Sequence, residues 1–227
     1  MHTTVIIAAA GKGKRIGRGI NKQYLELEKK PILLHTLSVF DDMAEIDEIL
    51  VVIGQGEEEL FESRILKKKT FKHTIRTVFG GAERQDSIEN ALNALSPETE
   101  LVLSHDGARP LVEAEQIRAV IQAAEEHGAA ILAVPVKDTI KVVGDGFIES
   151  TPQRSHIWAA QTPQVFHRDL LMEAYRAAKA DGVMGTDDAM LLERMGKPVK
   201  IVTGSYENLK ITTPEDIFLA EQILRRR

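Results

Sequence analysis

The sequence predicts an α/β fold in which a mostly parallel β-sheet is flanked by helices. Short apolar runs rich in Val, Ile and Leu alternate along the chain with longer amphipathic stretches, a pattern typical of strands joined by crossover helices. The apolar runs are nearly continuous, as expected of strands that are buried on both faces. We therefore expect helices on both sides of one sheet.

The composition agrees with a globular protein of this class. The chain has 227 residues, of which 43% are hydrophobic and 28% charged, and a chain of this length can bury a full core as a single domain, residues 1–227. The formal net charge of -5 gives no general attraction to nucleic acid or to an anionic membrane. The absence of cysteine excludes a disulfide scaffold, a thiol nucleophile and a thiolate zinc site.

The first strand is predicted near the start of the chain, where TVIIAA begins at Thr4. No basic segment precedes this apolar run and glycines end it, so it is interpreted as a strand rather than a signal peptide. No run of the sequence approaches the ~20 apolar residues of a membrane span. We therefore expect a cytoplasmic protein.

Five more strands and seven helices are predicted after it. The strands are EILVVIG from Glu48, TIRTVFG from Thr74, ELVLSHD from Glu100, AAILAVPV from Ala129 and VKIVTG from Val199. The helices are Ile32–Phe40, Glu57–Lys68, Arg84–Leu95, Glu113–His127, Arg168–Lys179, Asp187–Met195 and one that starts after Thr213. That last helix has the clearest start, because Thr213 suits the N-cap and Pro214 the first helical position.

One segment interrupts the alternation of strands and helices. Thr139–Thr151 consists of two β-like runs around a Gly-Asp-Gly turn, with no helix attached. A two-stranded ribbon is at best marginally stable alone in water. We therefore expect residues 137–156 to form an inserted β-arm that packs against something else, for which a second subunit is one candidate.

The strongest local motif is the loop that follows the first strand, Ala8–Tyr24. Its small residues allow backbone N–H groups to approach an anion, and it carries five positive charges in an acidic chain. The glycines at Gly11, Gly13 and Gly17 do not have the G-x-G-x-x-G spacing of a dinucleotide-binding loop, and no Gly-Lys-Ser/Thr marks a Walker A loop. The loop is predicted to bind phosphate without belonging to either of these classes.

A second motif, Ser104–Pro110, ends the predicted strand from Glu100. Asp106 stands where a metal ligand or a ribose contact would lie, and Arg109 could meet an anion. The alternative is a turn in which Asp106 accepts hydrogen bonds from backbone N–H groups. On this segment alone, the binding role and the turn are equally supported. His105 is interpreted as structural, since no second histidine stands at metal-ligand spacing.

Weaker signals come from segments that carry meaning only together. GGAERQDS (Gly80–Ser87) is a second close-approach loop. QTPQVF (Gln161–Phe166) and GTDDA (Gly185–Ala189) are predicted as loops ahead of helices, where Thr162, Thr186 and Asp187 are each more often caps or turn residues. Lys210 in NLKIT would ordinarily be an edge-strand charge.

Taken together, these motifs resemble the 2-C-methyl-D-erythritol 4-phosphate cytidylyltransferase family over essentially the whole chain. The resemblance rests on segments that occur in family order: AAGKGKR, NKQYL, HTL, GGAERQDS, HDGARP, VPVKDTIK, WAAQTPQ, GTDDA and NLKITTPED. It implies a Rossmann-like sheet and transfer of CMP from CTP to a sugar-alcohol phosphate. This sequence differs from the family pattern at Asn21, where many members have proline, and at Ala82, where some members have Asp.

The resemblance also implies roles for individual residues. Those implied for catalysis are Arg15, Lys22, Arg154 and Lys210. Those implied for nucleotide binding are Ala9, Ala10, Gly11, Gly13, Lys22, Gly81, Ser87, Asp106 and Ala108. Those implied for binding the sugar-alcohol phosphate are Arg109, Thr139, Arg154, Thr162, Thr186 and Lys210.

The resemblance further implies a divalent cation and a homodimer. Mg²⁺ or a similar cation would bridge the phosphates of CTP, with Asp106 as a candidate ligand. The arm would embrace a second subunit, so that Thr139 and Arg154 act in the partner's site.

Three other functions are weighed against this one. A ribitol 5-phosphate cytidylyltransferase shares the loop and the chemistry, and differs in a few arm and pocket residues. A non-catalytic nucleotide sensor would not need all three of Arg15, Lys22 and Lys210. A dehydrogenase is disfavoured by the glycine spacing.

Overall fold

The architecture was established from a computed structural model, which describes residues 1–11 and 21–227. The strands in chain order are β1 (Thr3–Ala8), β2 (Glu26–Leu27), β3 (Lys30–Pro31), β4 (Glu48–Ile53), β5 (Ile75–Phe79), β6 (Leu101–Asp106), β7 (Ala129–Pro135), β8 (Val142–Gly144), β9 (Phe147–Ser150), β10 (Trp158–His167) and β11 (Lys200–Thr203). The α-helices are α1 (Ile32–Asp41), α2 (Glu58–Arg64), α3 (Arg84–Asn93), α4 (Ala114–His127), α5 (Arg168–Ala180), α6 (Asp188–Arg194) and α7 (Pro214–Arg226).

A seven-stranded sheet forms the centre, in the order β11-β7-β10-β6-β1-β4-β5. All six predicted strands are confirmed as members of this sheet, and they run parallel to one another. The remaining member, β10, is antiparallel to both of its neighbours, β6 and β7. The predicted class, a mostly parallel sheet flanked by helices, is confirmed.

The interpretation of Gln161–Phe166 as a loop is wrong, because these residues lie within β10. The sequence WAAQTPQVFH mixes polar residues and proline with few β-branched ones, so it lacks a strand pattern. Its place between β6 and β7 supplies ladder partners on both sides, and the register shifts between Ala160 and Gln164. Tertiary context therefore makes this strand.

Helices cover both faces of the sheet, as the continuous apolar strands require. Successive side chains of β1 point to opposite faces of the sheet. Val5 and Ile7 pack with α1, α2 and α4 on one face, whereas Ile6 packs with α3, α5 and α6 on the other. A third cluster joins α7, through Ala220 and Ile223, to residues outside the main sheet.

The predicted start of α7 is confirmed in detail. Thr213 is the N-cap and forms a capping box with Asp216, while Pro214 occupies the first turn. The two reciprocal bonds satisfy N–H groups that have no partner inside the helix.

The Thr139–Thr151 segment contains an isolated hairpin of β8 and β9. Asp145 and Gly146 both have positive φ (50° and 83°), the conformation of a tight hairpin turn. Apolar side chains on the hairpin face solvent, with Phe147 78% and Ile148 64% exposed.

Across residues 1–11 and 21–227, no helix has the length and apolar content that a membrane crossing requires.

Candidate functional site

The site lies where the chain reverses its direction of travel across the sheet. From β1 the chain proceeds to β4 and β5 on one side, and β6 then pairs with the other side of β1. The carboxyl ends of β1 and β6 therefore part to leave a crevice, the usual ligand position in open α/β sheets. Ala8 and Asp106 are register partners at this point.

A cavity of about 460 Å³ opens at this crevice, and we call it the first cavity. Its walls come from the loop after β1, the β5–α3 turn, the end of β6 and the segment before α7. The lining residues are Ala8, Ala9, Ala10, Gly11, Lys22, Gln23, Gly81, Ala82, Glu83, Arg84, Ser87, Asp106, Ala108 and Lys210.

The β5–α3 turn approaches the loop after β1 so closely that it requires glycine. A Cβ on Gly80 would lie 2.4 Å from Cβ of Ala10, and one on Gly81 would lie 2.3 Å from Cβ of Asp86. The Gly81 N–H donates to Ser87 Oγ at 3.0 Å. The two loops thus form adjoining walls of the cavity, as predicted for a close-approach site.

Asp106 is the centre of charge in the site. Its carboxylate lies 2.8 Å from Lys210 Nζ, 3.5 Å from Arg109 Nε and 3.9 Å from Arg84 Nε. Burial opposes ionisation, but the charges of Lys210, Arg84 and Arg109 more than offset it and hold the pKa of Asp106 well below its usual range. Asp106 is therefore a carboxylate at any physiological pH.

A second cavity of about 240 Å³ adjoins the first and shares Arg84, Asp106 and Lys210 with it. Its remaining walls come from Arg109, just after β6, from β10 and from the α5–α6 loop. These lining residues are Arg109, Ala160, Gln161, Thr162, Gln164, Thr186 and Asp187. The two cavities thus meet at one carboxylate, Asp106, and two cations, Arg84 and Lys210.

The two lysines singled out by the sequence come together from distant parts of the chain. Lys22 Nζ donates to the carbonyl of Ile211 at 2.9 Å, one residue after Lys210. Lys210 lies in the irregular segment between β11 and α7, and not in an edge strand. The loop after β1 and the segment before α7 are thereby joined at the first cavity.

Thr162 and His105 form a buried network behind Asp106. The Asp106 N–H donates to Thr162 Oγ1 at 3.0 Å, and this hydroxyl lies 3.2 Å from His105 Nδ1. His105 Nε2 lies 3.1 Å from the carbonyl of Arg109, which can only accept, so Nε2 carries the proton and Nδ1 accepts from Thr162. Burial lowers the pKa of His105 to about 4 and keeps the ring neutral. The prediction of a structural His105 is confirmed.

Arg109 is held mainly by the protein itself. Its Nη1 donates to the carbonyl of Asn208 at 2.7 Å. Asn208 is fully buried and donates to Gln161 Oε1 and to the carbonyl of Thr162. These bonds fix the segment before Lys210 against β10.

Arg84 and Asp188 are central residues that the sequence patterns do not single out. Arg84 donates to both oxygens of Asp188, at 2.9 and 2.8 Å, and to Ser104 Oγ at 3.0 Å. Tyr175 also donates to Asp188, at 2.5 Å. Arg84 belongs to the GGAERQDS motif and Asp188 to the GTDDA motif. A charged residue at the start of a helix is ordinarily exposed to solvent, so nothing in the sequence indicates that these two side chains pair.

The other predicted residues divide into three groups. Ala9, Ala10, Gly11, Gly81, Ser87 and Ala108 line the first cavity, and Thr186 the second. Thr139 and Arg154 are exposed near the hairpin and, within the described part of the chain, line neither cavity. Gly13 and Arg15 lie outside the described residues.

Known proteins resemble this chain over nearly its full length. The family described as IspD, 2-C-methyl-D-erythritol 4-phosphate cytidylyltransferase, matches residues 3–226. A protein of that name from Alkaliphilus metalliredigens is 51% identical, covering 99% of this chain and 93% of its own. Another, from Geobacillus kaustophilus, is 48% identical, covering 100% and 99%.

Solved structures give the same result. The crystal structure of 4-diphosphocytidyl-2C-methyl-D-erythritol synthase from Anaerococcus prevotii superposes with a TM-score of 0.89 at 37% identity, covering 99% of this chain and 96% of that one. The 2-C-methyl-D-erythritol 4-phosphate cytidylyltransferase of Thermus thermophilus superposes with a TM-score of 0.81 at 34% identity, covering 99% and 100%.

Proposed function

This chain belongs to the 2-C-methyl-D-erythritol 4-phosphate cytidylyltransferase family, and we propose that its two adjoining cavities are the sites at which the family's reaction takes place. The enzyme transfers CMP from CTP to 2-C-methyl-D-erythritol 4-phosphate, giving 4-diphosphocytidyl-2-C-methylerythritol and pyrophosphate. The observation that carries the assignment of the site is the convergence of Lys210, Arg84 and Arg109 around Asp106 where the cavities meet, with Lys22 on the wall of the first cavity. Two anions that repel each other need such a cluster of cations.

The first cavity is assigned to CTP. Ala10 and Gly11 line this cavity with backbone that suits the triphosphate, since closely spaced N–H groups bind phosphate oxygens. Ala9 lines the same wall but is buried, and its N–H donates to the carbonyl of Val52 at 2.9 Å. Gly81, in the β5–α3 turn, and Ser87, in the first turn of α3, line the same space and are assigned to the cytosine and ribose. Asp106 and Ala108 complete this wall. By the family resemblance, Gly13 and Arg15 would complete the loop.

The second cavity is assigned to the sugar-alcohol phosphate. Lys210, at the boundary of both cavities, supplies a charge for its phosphate. Thr186 offers a hydroxyl, whereas Thr162 and Arg109 set the position of Asp106 and of the segment before Lys210.

The chemistry requires no nucleophile from the protein. An oxygen of the 4-phosphate, already ionised at neutral pH, attacks the α-phosphorus of CTP in line, a new P–O bond forms, and the bond to pyrophosphate breaks on the opposite side. No general base is needed. Lys22 and, by resemblance, Arg15 stabilise the charge that builds on the phosphorus oxygens, and Lys210 orients the attacking phosphate.

The residues of the first cavity offer few ligands for a divalent cation. Mg²⁺ on nucleotides is typically held by one or two carboxylates together with phosphate oxygens and water, and Asp106 provides one ionised carboxylate in the first cavity. Within residues 1–11 and 21–227, no three acidic or histidine side chains converge on a common point. Asp106 would thus be a single protein ligand, and the cation would supply charge to the phosphates when bound.

The arm, residues 137–156, is assigned to contact with a second copy of the chain. Its apolar side chains are exposed, Phe147 most of all, and Arg154 donates to the carbonyl of Lys137 at 3.0 Å, which holds it at the root of the arm. Thr139 and Arg154 would bind the sugar-alcohol phosphate in the partner's second cavity. A homodimer accounts for both the apolar surface and the separation of these residues from their own chain's cavities.

The deciding experiment measures pyrophosphate release from CTP and Mg²⁺ with 2-C-methyl-D-erythritol 4-phosphate and ribitol 5-phosphate in parallel. We expect strong preference for the first. Preference for ribitol 5-phosphate would keep the cavities and the chemistry and change the acceptor. Absence of turnover with both, in folded protein that binds CTP, would overturn the proposal in favour of a nucleotide sensor.

A further inference from the structure

The first turn of α3 contacts the α5–α6 loop as well as the first cavity. Gln85 Nε2 donates to the carbonyl of Val183 at 3.1 Å, and the Gly185 N–H donates to Gln85 Oε1 at 2.7 Å. One amide side chain thus satisfies a carbonyl and an N–H that lie two residues apart in the loop. Gln85 lies between Gly81 and Ser87, which face the first cavity, but does not itself line either cavity in the described part of the chain.

The held loop carries Thr186 and Asp187 into the second cavity. Asp187 is fixed independently, because it accepts from the Met190 N–H at 3.0 Å and from Gln164 at 2.8 Å. Thr186 is exposed, and its hydroxyl makes a weak contact with Met190 Sδ at 3.7 Å. Because Asp187 already fixes the backbone after Thr186, the remaining freedom of Thr186 lies in the backbone before it.

That backbone is the part of the loop that Gln85 holds. Gly185 is closely packed, since a Cβ there would lie 2.7 Å from Leu191 Cδ2 and 3.0 Å from the Asp187 carbonyl oxygen. A displacement of Gly185 would be transmitted directly to Thr186, the next residue. Bonds from Gln85 on both sides of Met184 restrict such a displacement.

We propose that Gln85 is a positioning residue for the acceptor, which fixes Gly185 and through it the hydroxyl of Thr186 in the second cavity. This inference rests on the proposed function, in which that cavity takes the sugar-alcohol phosphate. Arg84 also holds the loop, through Asp188. Because Arg84 lines both cavities and approaches Asp106, a change at Gln85 separates positioning of the acceptor from effects on CTP, whereas a change at Arg84 would not.

The test replaces Gln85 by Met, which has similar length and can form neither bond. In Q85M we expect KM for 2-C-methyl-D-erythritol 4-phosphate to rise about tenfold, a loss that two ordinary hydrogen bonds can account for. The Kd for CTP should stay within about twofold of the wild type, since Gly81 and Ser87 are untouched. The control is N90L, which removes an α3 side-chain bond to the carbonyl of Phe79 and should leave KM unchanged.

A double-mutant cycle identifies the route of the effect. T186A alone should also raise KM, and Q85M added to T186A should raise it by less than about threefold, because coupled residues are not additive. If Q85M does not fold, Q85N takes its place, since its amide is one methylene too short to reach the loop.

Three results would overturn the inference. These are an unchanged KM in folded Q85M, a Kd for CTP that rises as much as KM, and a full tenfold effect of Q85M in the T186A background. Failure of the wild-type enzyme to use the acceptor would instead overturn the proposed function, so the two failures are distinguishable.

Discussion

At the residue scale, the proposed site depends on cations whose positions are fixed by other residues. Lys22 bonds to the carbonyl of Ile211, and Lys210 to Asp106, so both ammonium groups are oriented before substrate binds. Such preorganised charges stabilise a transition state without reorganisation during the reaction.

We predict that Lys22→Ala lowers kcat by about 10²–10³, the typical cost of removing one preorganised donor. The measurement is steady-state pyrophosphate release, with circular dichroism to show that the fold is retained. Lys67→Ala, which removes a lysine that is 68% exposed and paired with Glu62, serves as control and should retain wild-type turnover. Near-normal turnover of folded Lys22→Ala would contradict the assignment.

At the element scale, the β8–β9 hairpin differs from the other strands because its apolar side chains have no core to enter. The hairpin pairs only with itself in the described residues, and Val143, Phe147 and Ile148 are each more than half exposed. A patch of this kind on a ribbon marks an interaction surface.

We predict that Phe147→Asp shifts the protein from dimer to monomer, because a charge would have to be buried in the interface. Sedimentation velocity at several concentrations measures the shift. Phe218→Asp is a matched control, since Phe218 on α7 is also largely exposed at 66%, and it should leave the assembly unchanged. A dimer that survives Phe147→Asp would place the interface elsewhere.

At the scale of the whole molecule, the proposed dimer would share its active sites between subunits. Lys22→Ala and Arg154→Ala chains should each be nearly inactive with the acceptor, but a mixed dimer would contain one intact site. Random mixing should therefore restore up to about a quarter of wild-type activity. If verified mixed dimers show no recovery, Arg154 acts within its own subunit or not at all.

Stability of the whole molecule should fall in mild acid because of His105. Its pKa is about 4 in the folded protein and about 6.5 in an unfolded chain. Between these values the unfolded chain binds a proton that the folded protein does not, so stability is full above about pH 6.5 and declines as the pH falls toward 4, by about 3 kcal/mol in total.

Urea unfolding at pH 7 and pH 4.5 tests this linkage in a matched pair. We expect His105→Gln, which cannot titrate, to lose about 2 kcal/mol less than the wild type between the two pH values. Equal losses in both proteins would show that the buried imidazole is not the cause.

The sequence by itself determined the elements whose signals are local. Continuous apolar runs at β1, β4 and β6 predict doubly covered strands, Thr213 and Pro214 start α7, and a Gly-Asp-Gly turn makes the hairpin, because each depends on neighbouring residues in the chain. Glycine and lysine in the loop after β1 predict phosphate binding from local residues too, and this stays a prediction.

Only the tertiary structure decided what depends on residues far apart in sequence. β10 is a strand because β6 and β7 supply its ladder partners, and no propensity in Trp158–His167 indicates it. The pairing of Arg84 with Asp188, 104 residues apart, is likewise invisible locally. The physical reason is that a buried charge is stable only where its partner is also buried, and the partner's position is set by the packed sheet and helices.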